Sequence, residues 1–322
     1  MTKNYDVAAL GELLVDFTQS GISEQGNTLF EANPGGAPAN VLAMLRKLDR
    51  RCAFIGKVGA DAFGDMLART VAETGTDITG LRRDREIPTT LAVVHTFPNG
   101  DRDFSFYRKP GADVRLSADE LPEDILRSCR IFHFGTLSLT GEPCRSATVR
   151  ALELAKEGGA LISFDPNWRA PLWDSEEAGK EQIRWGLARC DILKIADNEL
   201  LLMTGESDFV AGARKLQKEY PNIRLLDVTA GGSGSYSFYG QTHVFVDACH
   251  KGGVIETTGA GDTFCASVLN FVLDHGLEGL TEEDLRAMLH FANTAAYIVT
   301  TRKGAIRSMP ERGEVECLAR EY

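Results

Sequence analysis

The sequence predicts an α/β fold with a central, mainly parallel sheet flanked by helices. Three features predict it: short apolar runs at intervals along the chain, amphipathic helical periodicity between them, and enough length to cover both faces of such a sheet. The strand-like runs span residues 7–10, 53–58, 131–134, 161–164, 192–195 and 225–228. Helical stretches separate them, with clear examples at 145–157 and 179–187. Ser117-x-x-Glu120 reads as a capping box, in which each residue satisfies a free amide of the other, and it is expected to open a helix.

Two stretches, 11–34 and 88–107, depart from this rhythm and read as short strands and turns. Within the second, 89–97 and 102–107 flank Pro98-Asn99-Gly100-Asp101, where Asn-Gly supplies the positive φ angles of a tight hairpin turn. The expected organisation is an α/β body of residues 1–11, 35–87 and 108–322. A small β-sheet from 12–34 and 88–107 stands off it, placed as a lid over the strand ends.

Composition narrows the function. The chain has 322 residues, 43% hydrophobic and 25% charged, with a net charge of −11. That surplus argues against nucleic acid or an anionic membrane as the main partner. No run approaches the length of a membrane span, and Met-Thr-Lys-Asn-Tyr-Asp leads straight into the first strand without a signal-peptide core. Cysteines at 52, 129, 144, 190, 249, 265 and 317 form no Cys-x-x-Cys pair, so free thiols in the cytoplasm are expected.

The richest segment is Glu256-Thr-Thr-Gly-Ala-Gly-Asp-Thr-Phe264, which opens a helix whose buried face is expected to carry Phe264, Val268, Phe271 and Val272. Glycines at a helix start let backbone amides converge on an anion, and the helix dipole adds to the attraction. Asp262, in the first turn, is poorly suited to binding phosphate and well suited to taking a proton from an attacking hydroxyl. Gly259, Ala260 and Gly261 would then stabilise the transferring group. The alternative is an acid that merely favours the helix dipole. A Rossmann fingerprint is excluded, because the Gly-x-Gly lies late in the chain and Phe264 holds the third glycine position. No Gly-x4-Gly-Lys-Ser/Thr occurs, which excludes a P-loop.

This segment resembles the C-terminal signature of the ribokinase-like (PfkB) family of carbohydrate kinases. Pro34-Gly-Gly-Ala-Pro-Ala-Asn40, continuing to Gly56-Lys-Val-Gly-Ala-Asp61 and Phe63-Gly64, resembles its N-terminal signature. The resemblance spans essentially the whole chain. It implies a ribokinase-like three-layer fold, an ATP-dependent sugar kinase with Mg2+, a body that binds the nucleotide, and a homodimer formed through the lid. By the same resemblance Asp262 is the catalytic base and Gly259, Ala260 and Gly261 the anion hole. Asp16 and Asn40 bind sugar hydroxyls, Gly35 and Gly36 are the lid hinge, and Glu199 organises Mg2+ through water. Ala196 stands where the family often has asparagine, a feature fructokinases share.

On the nucleotide side the resemblance implies Thr229, Gly231, Gly232 and Gly234, with Asn293 and the run Thr301-Arg-Lys-Gly-Ala305; the glycines also suit a simple hairpin turn. Glu256 stands where ribokinases often have an aspartate that ligates K+, so a monovalent cation there is an expectation with an altered ligand. The segments 104–113, 165–173 and 194–199 are similar to those of fructokinases and imply fructose as substrate. Arg108 and Arg169 would reach the sugar or a phosphate, and structural ion pairs are the alternative for both. Ribokinase, 2-keto-3-deoxygluconate kinase, a riboside kinase, or a non-catalytic sugar- or nucleotide-binding protein of the same fold remain as other readings.

Overall fold

A computed structural model describes residues 2–96 and 102–321. The first strand shows why the sheet is central. In β1 (Tyr5–Leu10) Val7 and Ala9 point to one face while Ala8 and Leu10 point to the other, and all four are fully buried. A strand buried on both faces reads as continuous apolar sequence, the mark of a parallel strand between helical layers.

In chain order the strands are β1, then β2 (Leu14–Ile22), β3 (Thr28–Gly35), β4 (Cys52–Gly59), β5 (Asp77–Asp84), β6 (Leu91–Thr96) and β7 (Arg102–Tyr107). There follow β8 (Cys129–Gly135), β9 (Leu161–Asp165), β10 (Ile192–Ala196), β11 (Leu225–Thr229), β12 (Gly234–Tyr239) and β13 (Thr242–Asp247). Among the described residues the main sheet runs β13-β12-β11-β10-β9-β8-β1-β4-β5, parallel from β11 to β5, with an antiparallel β12–β13 hairpin at one edge. The chain winds outward through β4 and β5, returns beside β1 as β8, and winds the other way. That reversal makes a crevice at the carboxyl ends of β1 and β8, where open α/β sheets bind ligands.

One helical layer holds Ala37–Lys47, Ala260–His275 and Glu282–Thr300; the other holds Cys144–Glu157, Glu176–Leu187 and Phe209–Glu219. Phe54, Phe132, Phe134, Phe164, Phe238 and Phe264 are each less than 2% exposed. Burying a phenylalanine ring contributes roughly 2–3 kcal/mol, so these side chains bind the layers strongly to the sheet. On the helix Ala260–His275, Phe264, Val268 and Val272 are buried as the periodicity requires. Phe271 is only half-buried and stacks on His275.

The small sheet has the order β3-β2-β6-β7, drawn from the two irregular stretches of sequence. Phe17 of β2 meets Phe63 of the body edge-on at 5.6 Å, which ties the sheet to the α/β unit. The expected turn at Pro98-Asn99-Gly100-Asp101 lies outside the described residues.

One local expectation is corrected. Ser117 and Glu120 do form a capping box, but on a single 3-10 turn, Ala118–Glu120, rather than on an α-helix. Leu121 precedes Pro122 and takes an extended conformation, because the proline ring disfavours the helical one; the helix restarts at Glu123–Ser128.

Candidate active site

A cavity of about 660 Å³ opens at the carboxyl ends of β1, β8, β9 and β10, and the base of the small sheet forms its other wall. Asp16 enters from β2, Asn40 from the helix Ala37–Lys47, and Asn167 and Arg169 from the loop after β9. Lys194 enters from β10, and Glu256 to Asp262 from the start of the helix Ala260–His275. A larger groove of about 730 Å³ lies at the amino ends of the strands, beside Arg214 and Arg224. Its two arginines are already engaged, Arg224 by Glu278 and Arg214 by the carbonyls of Gly240 and Gln241.

Asp262 sits in the first turn of its helix, as the sequence requires. Gly259 precedes it at φ 80°, a left-handed conformation that glycine tolerates best. Asn40 donates from Nδ2 to Asp262 Oδ2 at 2.8 Å, joining residues 222 positions apart. The other polar atom of Asn40, Oδ1, is buried with no hydrogen-bond partner among the described residues. An orphaned acceptor on a cavity wall costs free energy until a donor arrives, and a ligand hydroxyl is such a donor. Burial pushes the Asp262 carboxyl up to about 6, with Asn40, Lys194 and Arg169 opposing the shift and Asp165 reinforcing it.

Asp16 is also pushed up, to about 7, first by burial and then by Glu256 and Asp262, with Arg169 opposing. A Cβ added to Gly35 would lie 2.5 Å from Asp16 Oδ2, and one on Gly36, at φ 128°, would lie 2.3 Å from the Glu12 carbonyl oxygen. The two glycines therefore let the end of β3 pass close against the Asp16 carboxylate. Arg169 is half-buried on the cavity wall, its Nη1 donating to the Trp168 carbonyl at 2.9 Å. Glu256 lies on the same wall, its Oε1 accepting from the Gly304 amide at 2.9 Å. That contact joins the segment before the helix to the 301–305 run.

Two expectations are corrected, and a third expected residue, Glu199, is placed behind the wall. Arg108 does not reach the cavity. Its side chain is 4% exposed and turned into the body, where it forms an ion pair with Asp113 at 2.6 Å and donates to Thr140 Oγ1 and the Leu137 carbonyl. Asn293 is likewise spent internally. It accepts from Ser235 Oγ and donates to the carbonyls of Val246 and Asp247, so it anchors the β12–β13 hairpin. Glu199 is buried behind the wall, its oxygens accepting from the amides of Trp168 and Ala196. It shapes the loop that carries Asn167 and Arg169.

Thr229 ends β11 level with Ala196 of β10, one strand beyond the cavity. Gly231 and Gly232 lie in the 3-10 turn Gly231–Ser233 that joins β11 to β12, as a hairpin turn would. Gly234 has φ 128° and admits no Cβ, since one would lie 2.2 Å from the Val246 carbonyl oxygen.

Sequence reasoning missed Lys194, Asp165 and Asn167. Lys194 is 8% exposed and its Nζ lies 3.1 Å from Asp165 Oδ2. Asp165 Oδ1 accepts from the Asn167 amide, which holds Asn167 at φ 48° on the wall. The available signal was a lysine inside the otherwise apolar run Ile192-Leu-Lys-Ile195.

A half-buried carboxylate at a glycine-bounded helix start, with a polar wall facing it, suits a group-transfer enzyme acting on a hydroxyl compound. The chain matches the description "pfkB family carbohydrate kinase" over residues 5–312 and belongs to that family. Among its relatives is "Probable fructokinase-2" of Arabidopsis thaliana, 43% identical over 306 residues, covering 94% of this chain and 92% of the relative. The fructokinase of Xylella fastidiosa with bound ATP superposes with a TM-score of 0.88 at 27% identity, covering 98% of this chain and 99% of that one. The fructokinase of Vibrio cholerae O395, in its fructose-, ADP- and calcium-bound form, superposes with a TM-score of 0.85 at 28% identity, covering 97% and 98%.

Proposed function

We propose that this chain transfers the γ-phosphoryl group of ATP to the carbon-6 hydroxyl of fructose. The observation that carries the reading is the Asn40–Asp262 pair: a half-buried carboxylate in the first turn of a glycine-opened helix, bonded to an amide whose second polar atom awaits a donor. With its carboxyl raised to about 6, Asp262 is ionised near neutral pH yet basic enough to accept a proton as the hydroxyl attacks. Asp16, Asn40 and Arg169 face the sugar. The amides around Gly259, Ala260 and Gly261 face the transferring group, and Thr229, Gly231, Gly232 and Gly234 line the nucleotide side.

Among the described residues no three His, Cys, Asp or Glu side chains gather into a metal cage. That donor set suits Mg2+ arriving on the nucleotide phosphates with its own waters, where it would offset phosphate charge. Glu256, bridged to Gly304, is the residue we assign to a monovalent cation such as K+. Ile22, Leu29, Phe30 and Tyr107 stand 46–65% exposed on the small sheet, apolar side chains that a homodimer through the lid would cover. Among the described residues no helix is long and apolar enough to cross a membrane, and seven reduced thiols suit work in the cytoplasm.

The test is ATP consumption by the purified protein with Mg2+ against fructose, ribose, glucose, 2-keto-3-deoxygluconate and adenosine. Fructose should dominate, and Asp262→Asn should lower kcat by about 100- to 10,000-fold. Turnover on another sugar would reassign the pocket, and silence on all would leave a binding protein of the same fold.

A further inference from the structure

The geometry points to Lys194 as a second catalytic residue, an ammonium held by Asp165 over the start of the helix Ala260–His275 to contact the transferring phosphoryl group. The inference rests on the kinase reading above.

Lys194 lies on the cavity wall, yet its side chain is only 8% exposed. Its Nζ is 3.1 Å from Asp165 Oδ2 and 3.3 Å from Oδ1, so one carboxylate engages it with both oxygens. An ammonium has three donors, and this pairing leaves one for the cavity. A Cβ built on Gly261 would lie 3.1 Å from the same Nζ, which places the ammonium against the backbone of the glycine stretch. Any anion cradled by those amides meets Lys194 as a neighbour. Burial disfavours the charge, but Asp165, Glu199 and Asp262 outweigh it and hold the ammonium above its usual range. It stays charged at every pH at which the enzyme would work.

Local charge supports the assignment. Asp16, Glu256, Asp262, Asp165 and Glu199 surround a place that must accept the polyphosphate of ATP. Against them stand Lys194 and, toward the sugar, Arg169. In the transfer, the carbon-6 oxygen forms a bond to the γ-phosphorus while the bond from that phosphorus to the ADP oxygen breaks. The hydroxyl proton passes to Asp262. Charge on the moving group lies between the two oxygens, and a fixed cation there stabilises it more than it stabilises bound ATP. Asp165 is the positioning residue: it fixes the ammonium and, through the Asn167 amide, one wall of the cavity. A purely structural ion pair would need neither the cavity face nor the approach to Gly261.

The experiment compares wild type, Lys194→Met, and Lys194→Met combined with Asp165→Asn, which removes both charges if the single variant folds poorly. Turnover is read with fructose and ATP. Binding is read by calorimetry with ADP alone and with ADP, aluminium fluoride, Mg2+ and fructose, in which aluminium fluoride stands in for the moving phosphoryl group. Lys194→Met should lose about 100- to 1,000-fold in kcat and at least 30-fold in affinity for the aluminium fluoride complex. Affinity for ADP and KM for fructose should stay within about threefold. Turnover within threefold of wild type in a folded Lys194 variant would overturn the inference, as would equal losses of affinity for ADP and the aluminium fluoride complex. Wild type inactive on every sugar would instead defeat the kinase reading.

Discussion

Replacing Asn40 with alanine removes the amide that donates to Asp262 Oδ2 at 2.8 Å. Burial alone pushes this carboxyl upward; the Asn40 hydrogen bond is the first of the opposing effects and brings it back to about 6. A hydrogen bond to a charged group contributes about 1.5–3 kcal/mol, and one pKa unit corresponds to about 1.4 kcal/mol. Without it the carboxyl should therefore rise by about one to two units, to between about 7 and 8. The base works only when ionised, so activity falls as pH drops through its pKa. The profile of kcat/KM for fructose, measured from pH 5 to 9 at saturating ATP, reports that pKa in the enzyme not yet bound to sugar. Its acid limb should move up by one to two units in Asn40→Ala. Lost contact with the sugar should lower the alkaline plateau as well, without moving the limb. A limb that stays in place while the plateau drops would refute the role of Asn40 in tuning the base.

Three further outcomes follow from the same geometry. Gly35→Ala places a methyl group 2.5 Å from Asp16 Oδ2; Asp16 can swing away, so Tm should hold within about 2 °C while KM for fructose rises at least roughly tenfold. Unchanged KM would remove Asp16 from the sugar site. Arg108→Met leaves Asp113 buried without its partner, which costs about 3–5 kcal/mol and should lower Tm by roughly 4–7 °C in a chain of this length, with KM for fructose within about threefold. A large rise in KM at unchanged Tm would return Arg108 to the substrate. Asp227, fully buried on β11 and paired across the strands with Ser237, is pushed up by burial to about 7, with only Ser237 opposing the shift. A raised acid pKa carries no penalty below the unfolded value near 4, and the full penalty, about 4 kcal/mol, above 7. Urea unfolding of wild type against Asp227→Asn should show the wild type losing ground steadily from pH 4 to 7, and parallel curves would contradict that.

The sequence made the strand ends and the start of the helix Ala260–His275 legible, because apolar periodicity and glycine placement are local properties. It also brought Asp16, Asn40, Arg169 and Asp262 to one cavity through the family resemblance. What stayed hidden depends on partners far along the chain. Arg108 stands at the end of a strand of the small sheet, and nothing in that strand says that the side chain turns inward to Asp113, Leu137 and Thr140. Asn293 meets carbonyls at 246 and 247, and Glu199 meets an amide at 168; both pairings exist only after the layers pack. Strands β5 and β13 were not anticipated, and β12 only through the alternative that 231–234 form a hairpin turn. The half-buried, charged pattern of 77–84 hides an outer strand, and the serines and aromatics of 234–239 give a weaker signal than an aliphatic run. Lys194 shows the reverse case, a charge whose place in an apolar strand was visible and whose purpose required Asp165 beside it.

Two of the carboxylates that face the cavity, Asp16 and Asp262, belong to different bodies of structure. Asp16 is paired through its strand to Asn33 of β3 and Ala92 of β6, so it travels with the small sheet. Asp262 stands on a helix with ten buried residues packed into the core, so it does not. Any rotation of the sheet changes the gap between them while leaving the base fixed relative to Gly259 and Gly261. If Asp16 grips one hydroxyl and Asp262 takes the proton of another, as proposed, the site works as a caliper with one stationary jaw, and a sugar one carbon too short or too long is rejected by reach rather than by any missing contact.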